Sequence, residues 1–444
     1  MPATHDLPAE HPLRSRLNDE LHARPPVALW PHERILYLAL YNTQDMHDAE
    51  EQALHGLLSS LEVSLAMPKA AHFEFELPRS TKSTHLHRNA LRMKIERHTE
   101  FTSWWFFEQV TPETDFFHSP EDLLPVGWLQ SLPGQLLVAA NVTLVTNEAP
   151  INVTDLADKF DNHTLIGNML GNSNAQAFTD FRLSKEGRTR IYVANLSMGS
   201  RQIGRIVQRL VEIETYRMMA LLAFPVAQTV LPALAASESE MVTLSTTLTE
   251  PLPEGQAEPE RDKQMQGQIS ALASRIEAAT SQSRSRFTAS EAYYDLVKRR
   301  VIELQETNIR GIQGFGEFME RRLSPAMRTC QATARRLDDL SKRISRLSQL
   351  LQTRVEIERE EQNSRLLSSM DRRAKMQLRL QQTVEGLSVV AISYYAIGIF
   401  SYFIKAIKAT EWHFNSDLLL GLSAPVIVII VARLLHKTKE KLND

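Results

Sequence analysis

LSVVAISYYAIGIFSYFI, residues Leu387–Ile404, is an 18-residue stretch without a single charge. As a helix rising about 1.5 Å per residue it covers roughly 27 Å, close to the thickness of a bilayer's hydrocarbon core. A second apolar run follows at Leu418–Val431, LLLGLSAPVIVIIV, and Ala432, Leu434 and Leu435 extend it past Arg433. That arginine can snorkel toward the headgroups, and a bundle tolerates the kink set by Pro425. The two runs read as a transmembrane hairpin over residues 387–435.

Charge orients the hairpin. Arg372, Arg373, Lys375 and Arg379 precede the first run, and Arg433, Lys437, Lys439 and Lys441 follow the second. The connector Lys405–Asp417 balances Lys405 and Lys408 against Glu411 and Asp417. Positive flanks stay inside, so both ends of the hairpin are expected in the cytoplasm, with a basic tail over 436–444. Met1 to Glu20 has no apolar core of the kind a signal peptide needs. The expected location is therefore a bacterial inner membrane, with the chain crossing twice.

Upstream of the hairpin, residues 263–386 read as a helical stalk. Leu337, Leu340, Ile344, Leu347 and Leu351 keep alternating spacings of three and four, the mark of a coiled-coil seam. Gly311–Gly316 is the one glycine-rich interruption. Between Arg321 and Gly386 there are 15 Lys+Arg against 8 Asp+Glu. Beside a membrane that excess selects anionic headgroups rather than nucleic acid as partner. Residues 250–262, EPLPEGQAEPERD, read as a linker. Residues 201–249 read as a helical packing segment.

The first 200 residues read as a mixed α/β domain, making the whole chain α+β. Arg34–Tyr41 has strand character, and Gln44–Ala66 has apolar residues at helical spacing. His72–Leu77 alternates, with Phe73, Phe75 and Leu77 opposing His72, Glu74 and Glu76. Arg88–Glu108 suggests a hairpin about Thr99. Gln135–Thr146, Ala177–Leu183 and Arg190–Asn195 complete the expected sheet, the last two joined by a turn at Ser184–Gly187. Trp104–Phe107 reads as core. The sole cysteine, Cys330, rules out an internal disulfide framework.

Four motifs carry a resemblance over nearly the whole chain, from about Arg14 to Leu435. They are Asn18–Pro25 (NDELHARP), Glu96–Phe101 (ERHTEF), Gly204–Arg217 (GRIVQRLVEIETYR) and Gln382–Ser388 (QTVEGLS). Together they resemble the bacterial family catalogued as domain of unknown function 3422, described as uncharacterised membrane-anchored proteins. The resemblance implies a membrane anchor and no reaction. The plan of soluble domain, stalk and hairpin also looks like that of CorA-type magnesium transporters. Their Gly-Met-Asn signature is absent here, where Gly398–Lys405 reads GIFSYFIK.

No P-loop, Rossmann fingerprint, nucleophile elbow or zinc spacing occurs, so no enzyme, cofactor or metal is expected. Arg24, Arg97 and His98 are candidate ligand contacts, through guanidinium or imidazole binding to a phosphate-like group; the plainer expectation is a polar network on the sheet. Arg205 and Arg209, with Glu212 on one helix face, carry the same two readings. His85 and His87 share one side of a strand, and solvated histidines are expected there. In the first span Ser388, Ala391, Tyr395, Gly398 and Tyr402 fall on one face, a helix interface or a pore lining. The expected whole is a homo-oligomer whose cytoplasmic domain is coupled to a two-helix bundle. One form of it is a CorA-like ion channel; the alternative is a tethered scaffold or ligand sensor.

Overall fold

The computed structural model describes residues 11–14, 17–18, 26–42, 46–61, 72–77, 91–250, 258–408 and 416–443. It divides into two units, Met1–Pro251 with Gly267–Arg346, and Leu252–Gln266 with Leu347–Asp444.

The first unit is built on nine strands, β1 (Glu33–Tyr41), β2 (His72–Leu77), β3 (Leu91–Arg97), β4 (Phe101–Gln109), β5 (Gln135–Thr146), β6 (Ile166–Leu170), β7 (Ala175–Thr179), β8 (Thr189–Asn195) and β9 (Thr307–Asn308). Their order is β2-β3-β4-β1-β5-β8-β7-β6-β9. The β5–β8 pair is parallel and the other pairs are antiparallel. The expected β2 and the β3–β4 hairpin are present, and β5 has the bounds read from sequence. The strand expected at Ala177–Leu183 instead ends at Thr179, and β6, its hairpin partner, was not foreseen.

Both faces of the sheet are covered. Helix α1 (His47–Ser60) lays Leu54, Leu57 and Leu58 on a core of Leu36, Leu38, Phe75, Met93, Trp104 and Phe106. Helix α2 (Ser200–Leu221) covers the opposite face with Ile203, Ile206, Val207, Leu210 and Val211. Its approach is close: a Cβ on Gly204 would lie 1.9 Å from the Val27 carbonyl oxygen. Glycine is the residue that lets helix and chain meet there.

Helix α3 (Ala223–Thr249) follows after a break at Leu222. Pro225 explains the break, because it has no N–H to bond the carbonyl four residues back. Helices α4 (Glu258–Glu303), α5 (Phe315–Arg322) and α6 (Ser324–Lys408) come next. Helix α4 begins inside the stretch expected as linker. Within the first unit α3, α4 and α6 each bury one stripe of side chains. The stripes are Ala223, Ala227, Leu234, Ser237, Met241 and Leu244 on α3, Ile269, Leu272, Ile276, Ser283, Ser290 and Val297 on α4, and Met327, Cys330, Leu337, Leu340 and Ile344 on α6. Spacings of three and four keep each stripe on one side of its helix. Arg275 pairs with Glu240, Arg336 with Glu238, and the Ser290 hydroxyl donates to the Ala220 carbonyl at 2.7 Å. These contacts set α4 antiparallel to α3.

The glycine-rich interruption has a structural use. Gly316 lies in the first turn of α5, and its N–H donates to the Glu306 carboxylate at 3.1 Å, while the Asn168 amide donates to the same carboxylate at 2.6 Å. A carboxylate thus satisfies the orphan donors of a helix start.

In the second unit Met265, Leu347 and Leu351 are buried. Helix α7 (Ser416–Asn443) follows α6.

Candidate functional site

Strands β1 and β3 place Glu33, Lys94 and Glu96 where water does not reach, with Arg92 largely covered beside them. Arg92, Lys94 and Glu96 alternate with Met93 and Ile95, so they share one face, and α2 covers that face. The Lys94 ammonium lies 2.9 Å from Glu96 and over the Trp105 ring. Ser103 donates to Glu96 at 3.4 Å and receives the Trp105 indole N–H at 3.3 Å. Arg92 pairs with Glu33 and lies 5.1 Å from the Phe107 ring centroid. Burial pushes the Glu33 carboxyl up to about 7, against the pull of Arg92. Tyr37 donates to the Thr215 hydroxyl at 2.7 Å, and burial raises its phenol well above the ordinary value.

Arg97 and His98 sit at the end of β3. Arg97 donates to Glu50 of α1 at 2.6 Å, and Glu50 also accepts from Thr102. The His98 ring stacks on Phe101 with centroids 4.1 Å apart. Glu100, in the same motif, is forked by Arg286 at 2.9 and 3.2 Å. The motif ERHTEF is therefore spent on tying α1 and α4 to the sheet. Arg24, expected beside them, and His85 and His87 lie outside the described residues.

Arg205 and Arg209 separate. Arg205 is exposed. Arg209 donates to the Glu303 carboxylate at 3.2 Å and to its carbonyl at 2.9 Å. Arg300 links Glu303 to Glu212, whose carboxyl burial pushes up. The expected Arg–Glu helix face thus binds the end of α4. Glu214 is likewise held by Arg217, which lies 4.9 Å from the Phe181 ring centroid.

A cavity of about 330 Å³ opens between α3 and α6. Glu238 in its wall is forked by Arg336, which holds the carboxyl below the usual carboxylate range. Arg343, Arg346 and Asp339 also line it. Among the described residues no group of three His, Cys, Asp or Glu side chains is placed to hold a metal. Cys330 is buried, which raises its thiol.

Sequence reasoning passed over Glu50, Lys94 and Glu33. For Lys94 the signal lies in LRMKIER, where the charged positions keep strand alternation; Glu50 and Glu33 carry no comparable pattern.

Among the described residues three stretches are long and apolar enough to cross a membrane, Ser200–Thr249, Ser324–Ala406 and Leu418–Leu435. In the most apolar part of each, 28 %, 11 % and 0 % of residues are buried. The first was read from sequence only as a packing segment. On α6 the face expected as pore or interface stays together: Ala391, Tyr395 and Tyr402 are exposed, and Ser388 and Gly398 partly so. Ser393 and Ile404 are buried on the other side of the helix.

An α+β protein with a closed, ion-paired sheet domain and apolar helices is the class these features define. The chain belongs to the family described as protein of unknown function (DUF3422), which it matches over residues 9–442. No curated protein and no solved structure matches it.

Proposed function

We propose that the chain is a non-enzymatic, membrane-anchored protein held by α6 and α7 as a two-helix hairpin, with the sheet domain as its working part outside the bilayer. One observation carries this reading: what the three apolar stretches expose. Along α2 and most of α3 no large apolar side chain is exposed before Val242, and the outward positions of α3 are Pro225, Gln228, Thr229, Pro232, Ala233, Ala235 and Ala236. The apolar stripe of that helix is already buried. On α6 and α7 the reverse holds. Leu387, Val390, Tyr394, Tyr395, Ile399, Tyr402 and Phe403 are exposed, as are Leu418, Leu422, Val426, Ile429 and Leu434. So much outward apolar surface is stable only in hydrocarbon. Arg372, Arg373 and Arg379 on one side and Arg433 and Lys437 on the other then meet the headgroups from the same, cytoplasmic, side and favour anionic lipid.

Within the sheet domain Arg97 and Arg209 are held by the carboxylates of Glu50 and Glu303, which supports a scaffold or sensor in preference to a catalytic centre. The ion-conducting form has in its favour the tyrosine face of α6, though Lys405 at its outer end opposes a cation. Flux assays on reconstituted protein decide it. The anchor itself is tested by alkaline carbonate washing of membranes: the chain is expected to stay in the pellet and to leave only with detergent. Release into the wash refutes the hairpin.

A further inference from the structure

We infer that the α6 face bearing Ser388, Ala391, Tyr395, Gly398 and Tyr402 packs against the same face of a second copy of this chain, the two helices running parallel. The inference rests on the hairpin reading above. Tyr395 stands eight residues beyond Leu387, roughly 12 Å into a core about 30 Å thick, too deep for its hydroxyl to reach the headgroups. The ring is 71 % exposed, and among the described residues nothing bonds the hydroxyl. Helix α7 is not its cover. Buried Ser393 and Ile404 mark the side of α6 that faces inward, and Tyr395 lies 200° from Ser393 around an ideal helix of 100° per residue. Lipid tails offer a hydroxyl no partner, and two helices alone cannot enclose a wet pore around it. A facing copy supplies another tyrosine, at once donor and acceptor. Ala391 and Gly398, one turn to either side, let the backbones come close enough.

A second observation lies outside the bilayer. The same alternation of three and four runs back along α6 from Ser388 through Val384, Gln381, Gln377 and Ala374 to Met370 and Leu367. Val384, Met370 and Leu367 are 56 %, 57 % and 65 % exposed, on the aqueous side where lipid cannot cover them. A parallel copy in register covers the wet and the greasy parts of this stripe together; an antiparallel copy or a bound lipid covers at most one.

The test is oxidative cross-linking in native membranes, in the full chain carrying Cys330→Ser. Ala391→Cys, Gly398→Cys and Met370→Cys are expected to give several-fold more disulfide-linked dimer than Val390→Cys and Phe403→Cys, which lie about a quarter turn or more off the face. Tyr395→Phe is expected to lower the yield at Met370→Cys. Equal or absent cross-linking at the face positions, in a chain that still resists carbonate, overturns the self-contact and leaves the anchor standing. Dimer at Met370 without dimer at Ala391 or Gly398 overturns the contact inside the bilayer. Release by carbonate removes the hairpin and the inference with it.

Discussion

Glu33 is a carboxylate with no exposed side-chain surface, held between Arg92 and the Trp30 N–H. Its folded-state value of about 7 stands above the ordinary 4.5 because burial disfavours the charged form. A raised acid means that the folded state holds the proton more tightly than the unfolded state. Its contribution is therefore largest below pH 4.5 and is lost as pH rises to about 7, by roughly 3 kcal/mol at about 1.4 kcal/mol per unit. The melting temperature of detergent-solubilised protein, followed by tryptophan fluorescence, is expected to carry this fall, and Glu33→Gln to flatten it. A profile unchanged by the substitution contradicts the assignment. Gly204 makes a second claim at this scale. Gly204→Ala puts a methyl into the Val27 carbonyl, and backbone cannot move as a flexible side chain can. The expected loss is about 1–3 kcal/mol, read as a lower urea midpoint with unchanged slope.

At the scale of elements, sequence periodicity located most of the fold and missed where a pattern has two structural meanings. His72–Leu77 was legible because Glu74 and Glu76 face water while Phe73 and Phe75 face the core. Leu91–Arg97 has the same alternation, yet Lys94 and Glu96 are buried, because α2 closes that face and ion pairs replace the lost water. Alternation reports two environments; it does not report that one of them is solvent. Strand β6, IGNML, is too short and too polar at Asn168 to stand out. Its Asn168 is fully buried because the Glu306 carboxylate takes its amide hydrogen, a partner 138 residues away. The buried stripes of the long helices were half legible. The leucine seam of α6 was plain, but Ala223, Ala227, Ser237, Ser283 and Ser290 fill the facing helices with small residues, leaving no leucine repeat to see. Leu272 and Leu340 are both buried, so Leu272→Ala and Leu340→Ala are each expected to cost about 2–5 kcal/mol. Val242→Ala, on the exposed side of α3, is expected to leave the urea midpoint within error. Similar losses at all three positions would show that the buried stripes are misassigned.

For the whole molecule the hairpin proposal turns on which apolar stretches enter a bilayer, since Ser200–Thr249 also has the length and apolarity of a span. Packing argues against it. A helix that buries Leu234, Met241 and Leu244 and turns alanine, threonine and proline outward has already used its hydrophobic surface. The distinction is measurable with single cysteines in a Cys330→Ser background and a membrane-impermeant thiol reagent. Thr229→Cys, exposed in the most apolar part of α3, is expected to react. Arg379→Cys and Lys437→Cys, flanking the two spans, are expected to react from the same side as Thr229→Cys, and Lys405→Cys only from the opposite side. Two crossings require this pattern, because each passage through lipid exchanges the face on which the next charge emerges. A silent Thr229→Cys would place α3 in lipid. Arg379→Cys and Lys437→Cys reacting from opposite sides would leave an odd number of crossings between them and exclude the hairpin.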